Sequence, residues 1–173
     1  MNKKIGILFT LMLMISALGW QSCQYNACKA RAVECENGGV CDRGECTCVL
    51  GYEGEFCENP VNEKYASHYA MVRTELVNST PPAFDDDDTL VVYADNVDRN
   101  LVFFYSIRDT ANTIEGRVRE NAMTIPEQTV QTFTYRGEGS LNGDKLTITL
   151  ERKNNLSASS SKITYVGKKY ETF

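Results

Sequence analysis

The chain has 173 residues, a formal charge of −5, 42% hydrophobic and 24% charged residues. Such a chain can bury a core, which excludes wholesale disorder, and its length fits one ordinary domain or a small module joined to a modest one. A mildly acidic protein is a poor partner for nucleic acid or anionic lipid headgroups, so no nucleic-acid function is expected.

Residues 1–22 read as a secretory signal. Lys3 and Lys4 form a positive start, residues 5–18 form a weakly polar to apolar run too short to span a membrane, and small residues follow at once. Removing the two lysines takes the charge from −5 to −7. Seven cysteines in an exported chain leave one unpaired. The odd one is Cys23, and Ser22-Cys23 resembles the lipobox of bacterial lipoproteins, with Trp20 standing where that motif usually carries an aliphatic residue. The resemblance implies lipidation of Cys23, a membrane partner through the acyl chains (palmitate among them), and residues 23–27 as the lipidated tether. The alternative is a soluble secreted adhesion or interaction protein with a free or intermolecular Cys23.

Residues 28–57 hold the other six cysteines, spaced C-x6-C-x5-C-x4-C-x-C-x8-C. Export favours disulfides over a zinc site, which would show C-x2-C pairs. Thirty residues cannot bury enough apolar surface to fold unaided, so the staples must stabilise the module. Spacing alone leaves fifteen pairings open. Asn37-Gly38-Gly39 ahead of Cys41, then Cys46-Thr47-Cys48 leading to Gly51-Tyr52, Gly54 and Cys57, resemble the EGF-like family. That resemblance implies the pairs Cys28–Cys41, Cys35–Cys46 and Cys48–Cys57, with Asn37-Gly38-Gly39 as the tight turn of the main hairpin. Cys23 in place of Cys28 as first partner is the other possibility, and it would abolish the lipid. Gln24-Tyr25-Asn26-Ala27 offers no carboxylate for calcium, so no metal is expected.

Residues 58–64 read as a polar linker punctuated by Pro60, and residues 65–173 as an antiparallel β domain. Period-2 alternation predicts strands at 67–77, 89–94, 101–107, 113–119, 122–125, 129–135, 145–151 and 162–168. Residues 101–107, LVFFYSI, are apolar on both faces and predict a strand covered on both sides. Asn142-Gly143 predicts a hairpin because both residues tolerate positive φ. The fold class expected is mainly β: a small disulfide-rich EGF-like module plus an antiparallel barrel or sandwich of about eight strands. Gly137 and Gly139 within a strand would permit the bulge or coiling that barrel closure needs. The runs Ile125-Pro126-x-Gln128-Thr129, Gly137-x-Gly139-x-Leu141-Asn142-Gly143 and Leu146-Thr147-Ile148-Thr149 resemble lipocalin-like β domains of Gram-negative envelope lipoproteins.

Few residues suggest chemistry. His68, the only histidine, has no serine motif or free cysteine beside it, and no cofactor or catalytic residue is expected. The aspartates at 85–88 follow Pro81-Pro82 and read as a solvated, mutually repelling loop. Asn78-Ser79-Thr80 is an N-glycosylation sequon, and Thr89 and Thr110 lie in Asp-Thr-apolar triplets resembling bacterial O-glycosylation sites. Tyr93, Phe103, Phe104, Tyr105, Phe133, Tyr135 and Tyr165 form the core, or else line a cavity or sugar platform.

The function expected is a non-catalytic lipoprotein of the bacterial cell envelope, in the outer membrane on either face and monomeric. Its EGF-like stem would present a β domain that binds protein or glycan. One alternative is a lipocalin-like carrier of a small apolar ligand. An enzyme such as a glycan hydrolase would need a carboxylate pair that no feature nominates.

Overall fold

The computed structural model describes residues 27–78, 80, 85–157 and 159–170; Cys23, the signal and the proline pair lie outside them. The N-terminal region is a small disulfide-bonded module. It opens with a short helix, α1 (Ala27–Arg31), followed by a hairpin of β1 (Val40–Asp42) and β2 (Glu45–Thr47). Disulfides join Cys28 to Cys41, Cys35 to Cys46 and Cys48 to Cys57, the pairing that the resemblance implies. The tight turn of the hairpin differs from expectation. It is Arg43-Gly44, at φ of 54° and 91°, whereas Asn37-Gly38 turns the chain before β1. Gly39 instead supplies space: a β-carbon there would lie 2.7 Å from the Cys57 sulfur.

The segment expected to be a linker is built into both neighbours. Residues 59–60 form β4 (Asn59–Pro60), which pairs with β3 (Tyr52–Glu53) of the module. Val61 and Asn62 are buried, and a 3-10 helix (Glu63–Tyr65) then sends Tyr65 into the barrel. Asn62 is the joint. Its backbone N–H donates to the Arg99 carbonyl (3.2 Å). Its side-chain Nδ2 donates to the carbonyls of Asp95 (2.9 Å), Asp98 (3.2 Å) and Leu101 (3.0 Å). Lys64 adds an ion pair to Glu53 at 2.6 Å.

The remaining strands are β5 (Ser67–Val77), β6 (Asp86–Ala94), β7 (Leu101–Ser106), β8 (Asp109–Arg119), β9 (Ala122–Val130), β10 (Phe133–Asn142), β11 (Lys145–Asn154) and β12 (Ser160–Tyr170). They form an up-and-down antiparallel meander that β12 closes against β5, making a barrel rather than a sandwich. Closure removes the sheet edges that an open meander would expose. Inward positions alternate as the sequence predicts: Tyr69 and Met71, Leu90 and Val92, Val102 and Phe104, and Leu146, Ile148 and Leu150 are all buried.

Two corrections concern strand limits. The expected strands 122–125 and 129–135 straddle the real hairpin: β9 runs on through Pro126 to Val130, and the turn is Gln131-Thr132, with Gln131 at a φ of 54°. Pro126 ends the sequence signal because it cannot donate to a ladder, and the structure places it where the β9–β10 register shifts. At this bulge Gly137 is required by close approach, since a β-carbon would lie 2.1 Å from the Thr149 carbonyl oxygen. Beyond Thr124 the β8–β9 ladder stops, and the Gln128 side chain replaces it, accepting from the Glu115 N–H (2.9 Å) and donating to the Glu115 carbonyl (2.8 Å). The second correction is β6, which begins at Asp86, so three of the four aspartates expected in a loop belong to a strand.

Strand β7 also departs from expectation. Its inward side is buried, but Leu101, Phe103 and Tyr105 on the outer side are only partly buried. They are sheltered sideways instead: Tyr93 of β6 stacks on Phe103 at 5.4 Å and tilts against Tyr105 at 6.5 Å.

Candidate functional site

The meander gives the barrel two distinct ends. The disulfide module, the 3-10 helix and the last residues of β12 sit at the base, where Val61 and Tyr65 plug the opening and the Tyr65 hydroxyl donates to the Glu120 carbonyl (3.1 Å). The mouth, at the opposite end, is formed by the last residues of β5, β7, β9 and β11 and the first of β6, β8, β10 and β12. The base is filled with apolar side chains. A cavity of about 160 Å³ opens at the mouth, lined by Arg73, Asp88, Ser106, Asn112, Tyr135 and Tyr165 among others. A more open hollow of about 430 Å³ lies at the base between the module and the barrel, beside Tyr52, Val61 and Asn100.

The polar lining follows from strand phase. Arg73 and Glu75 continue the inward positions of Tyr69 and Met71; Arg152 continues Leu146, Ile148 and Leu150; Ser106 continues Val102 and Phe104. The inward face therefore changes from apolar to polar over the last few residues of β5, β7 and β11. On one side of the mouth Glu75 is clasped by two guanidinia, Arg73 and Arg152 (2.5 Å). Arg152 also donates to the Ser161 hydroxyl (3.2 Å) and lies 4.9 Å from the centre of the Phe133 ring. Tyr165 lies within the influence of Arg73, and Tyr135 within that of Arg152. Burial alone would raise the Glu75 carboxyl, but the Ser161 hydrogen bond and the two guanidinia outweigh it and hold the group below the ordinary carboxylate value. Burial pushes the Tyr165 and Tyr135 hydroxyls up, so both remain protonated donors at neutral pH.

The opposite arc, from β6 to β8, carries acceptors. Asp88 is buried to 7% exposure and accepts from the Ser106 hydroxyl (2.9 and 2.7 Å) and the Thr89 N–H (2.7 Å). It makes no ion pair among the described residues. Asn112, 9% exposed, donates its Nδ2 to Asp109 (2.7 Å), which leaves its buried Oδ1 without a partner. Asp88 thus overturns the expectation of a wholly solvated acidic loop. Asp85 is exposed and accepts from Thr74 (2.7 Å), Asp86 pairs with Arg108 at 3.8 Å, and Asp88 turns inward.

The other residues singled out by sequence are scattered. Thr89 is half-buried on the outer wall of β6 and Thr110 is exposed at the start of β8. His68 faces outward, 6.0 Å from the Tyr170 ring. Asn78 of the sequon sits at the β5–β12 edge of the mouth, accepting from the Ser160 N–H (3.1 Å), while Ser79 lies outside the described residues. Of the seven aromatics, Phe104, Tyr135 and Tyr165 are interior, Phe133 is half-buried at the mouth, and Tyr93, Phe103 and Tyr105 lie on the outer wall. A larger concavity of about 620 Å³ dents the outer wall over β9–β12. Arg136 and Glu151, paired at 2.6 Å, lie in it together with Glu127, Lys153 and Lys162.

Sequence reasoning missed Asn62, Arg73, Glu75, Ser106, Asn112 and Arg152. The signal that finds five of them is a polar residue at the inward phase of an otherwise apolar alternation. Asn62 had no signal, because its burial depends on the loop between β6 and β7.

No protein-family model matches the chain, and no curated protein matches it. Among solved structures, it is similar to a protein of unknown function from the DUF3598 family of Nostoc punctiforme, at 10% identity and a TM-score of 0.43. The match covers 76% of this chain and 60% of that one, so the chain spans under two thirds of that neighbour's length.

Proposed function

We propose that the protein is a non-catalytic lipoprotein of the bacterial cell envelope, in which an EGF-like stem presents a β-barrel that binds a protein or glycan partner at its mouth. The observation that carries this reading is polarity of the molecule: the disulfide module abuts the base, and the cavity lined by inward-facing polar side chains opens at the other end. Four residues separate Cys23 from Cys28, and a chain extends at most about 3.6 Å per residue, so a lipid on Cys23 would hold the module against the membrane. The built-in joint at Asn62 then directs the mouth away from it. A closed barrel is also compatible with a carrier. The space left inside, about 160 Å³ and lined with charged groups, favours a polar group at the mouth over an apolar molecule within.

The test of the anchor is metabolic labelling with an alkyne fatty acid in a Gram-negative host. Labelled protein in the membrane fraction, with label lost in Cys23→Ala, is expected. Unlabelled protein released into the medium would replace this reading with that of a secreted interaction protein.

A further inference from the structure

The mouth is asymmetric in what it leaves unmet. On its basic side the guanidinia of Arg73 and Arg152 are paired with Glu75, and Arg152 also donates to the Ser161 hydroxyl. On its acidic side the situation is reversed. A carboxylate offers about four acceptor positions. Asp88 uses them on one hydroxyl hydrogen and one backbone N–H, with no cation, although it is more than nine-tenths buried. Burying a charge without a counter-charge is costly. Asn112 lines the same cavity, and its Oδ1 is buried and unpartnered. Rotating that amide by 180° would not help, since an oxygen would then face the Asp109 carboxylate.

We infer that the mouth binds a primary ammonium group, seated between Asp88 and Asn112 Oδ1 against the aromatic wall of Phe104, Tyr135 and Tyr165. An ammonium supplies the three N–H donors and the positive charge that these acceptors lack, and aromatic faces favour a cation lodged against them. The cavity wall itself holds Arg73, Arg108 and Arg152 with Asp88 and Asp109; on the β6–β8 side Asp85, Asp86 and Asp87 add carboxylates around the rim, where Arg108 faces Asp86. Glu75 offsets part of the charge of the two guanidinia on the far side. The acidic run that looked like an idle loop becomes the attracting rim of the site. The volume, about 160 Å³, is roughly that of five water molecules at ~30 Å³ each, which suits one amine-bearing arm and not a whole oligomer. The amine can come from a free alkylamine or from the lysine side chain of a protein partner. This inference rests on the reading of the barrel as a binding module and names the chemistry of its ligand.

Calorimetric titration of the mature protein tests it, with 1,5-diaminopentane, 1-pentanol and pentanoate as cationic, neutral and anionic probes of similar length. The cation is expected to bind one to one in the millimolar range, with the alcohol and the acid at least about tenfold weaker. Asp88→Asn and Asn112→Ala should each weaken the cation, the first by at least about tenfold. If Asp88→Asn fails to fold, the selectivity of the unaltered protein among the three probes decides alone. A Gly-Lys-Gly peptide and its acetyl-lysine counterpart separate the sources: tighter binding of the lysine peptide than of the diamine points to a protein partner, and the reverse to a small amine. No cation binding, equal binding of pentanol or pentanoate, or equal affinity in a folded Asp88→Asn protein overturns the inference. Loss of amine binding alongside intact fatty-acid labelling refutes the ligand chemistry and leaves the anchored stem standing; the opposite pattern does the reverse.

Discussion

Asn62→Ala tests whether stem and barrel are one mechanical unit. Asn62 is fully buried, and its two Nδ2 hydrogens serve three carbonyls of the β6–β7 loop. Two of these keep another donor after truncation: Asp98 O accepts from the Leu101 N–H and Leu101 O from the Asp95 N–H, each at 3.0 Å. Asp95 O has no second donor of this kind among the described residues. The loss is therefore two hydrogen bonds at about 1 kcal/mol each plus one buried carbonyl left unmet, some 3 kcal/mol together. For a chain of this size that lowers Tm by roughly 6–12 °C, at about 2–4 °C per kcal/mol. Thermal unfolding of the mature protein by circular dichroism gives the Tm, and hydrogen exchange should show faster opening confined first to residues 95–101. Asn62→Asp, which turns an acceptor toward three carbonyls, should be worse than alanine. A Tm within about 2 °C of the unaltered protein, or Asp tolerated better than Ala, would refute the joint as described.

Other outcomes follow from named contacts. Gly137→Ala places a β-carbon 2.1 Å from the Thr149 carbonyl oxygen and should cost about 3 kcal/mol or more in chemical denaturation. Gly143→Ala, with nothing within 4 Å but a φ of 60°, should cost only about 1 kcal/mol. The Glu75 carboxyl is held below its ordinary value of 4.5, so its contribution is present above that pH and is lost as pH falls through the lowered folded value. Tm should fall across that acid range, and Glu75→Gln should flatten the fall while lowering Tm at neutral pH. Replacing Cys48 and Cys57 together by serine removes about 2–4 kcal/mol from the module. Limited trypsin digestion should then cut at Arg31 and Arg43 while leaving a barrel fragment intact.

The barrel was legible because its strands obey a period of two and its core residues are ordinary β formers. Tyr69, Leu90, Phe104 and Ile148 point inward as their alternation demands. The expectation failed where one residue contradicts its surroundings. Pro126 sits inside β9 because a register shift excuses its missing N–H, and the aspartates enter β6 because Ser106 and the Thr89 N–H receive Asp88. Both depend on strands distant in sequence, which local pattern does not contain. The hairpin turn of the module was misplaced for a related reason: Asn37-Gly38-Gly39 is the stronger turn signal, yet the disulfide between Cys41 and Cys28 and the pairing of Cys41 with Cys46 put the reversal at Arg43-Gly44. The candidate site was hidden in plain alternation. Arg73, Ser106, Asn112 and Arg152 look like interruptions of apolar strands until the barrel gathers their ends into one mouth.

Ligand binding at the mouth, away from the stem, is the central proposal. Amide chemical-shift mapping of the ¹⁵N-labelled mature protein during titration with 1,5-diaminopentane addresses it most directly. Shifts concentrated at Asp88, Thr89, Ser106 and Asn112, with the Asn112 side-chain amide moving most, are predicted. Shifts concentrated on the outer wall at Arg136, Glu151 and Lys162, or at the base around Asn62, would contradict it.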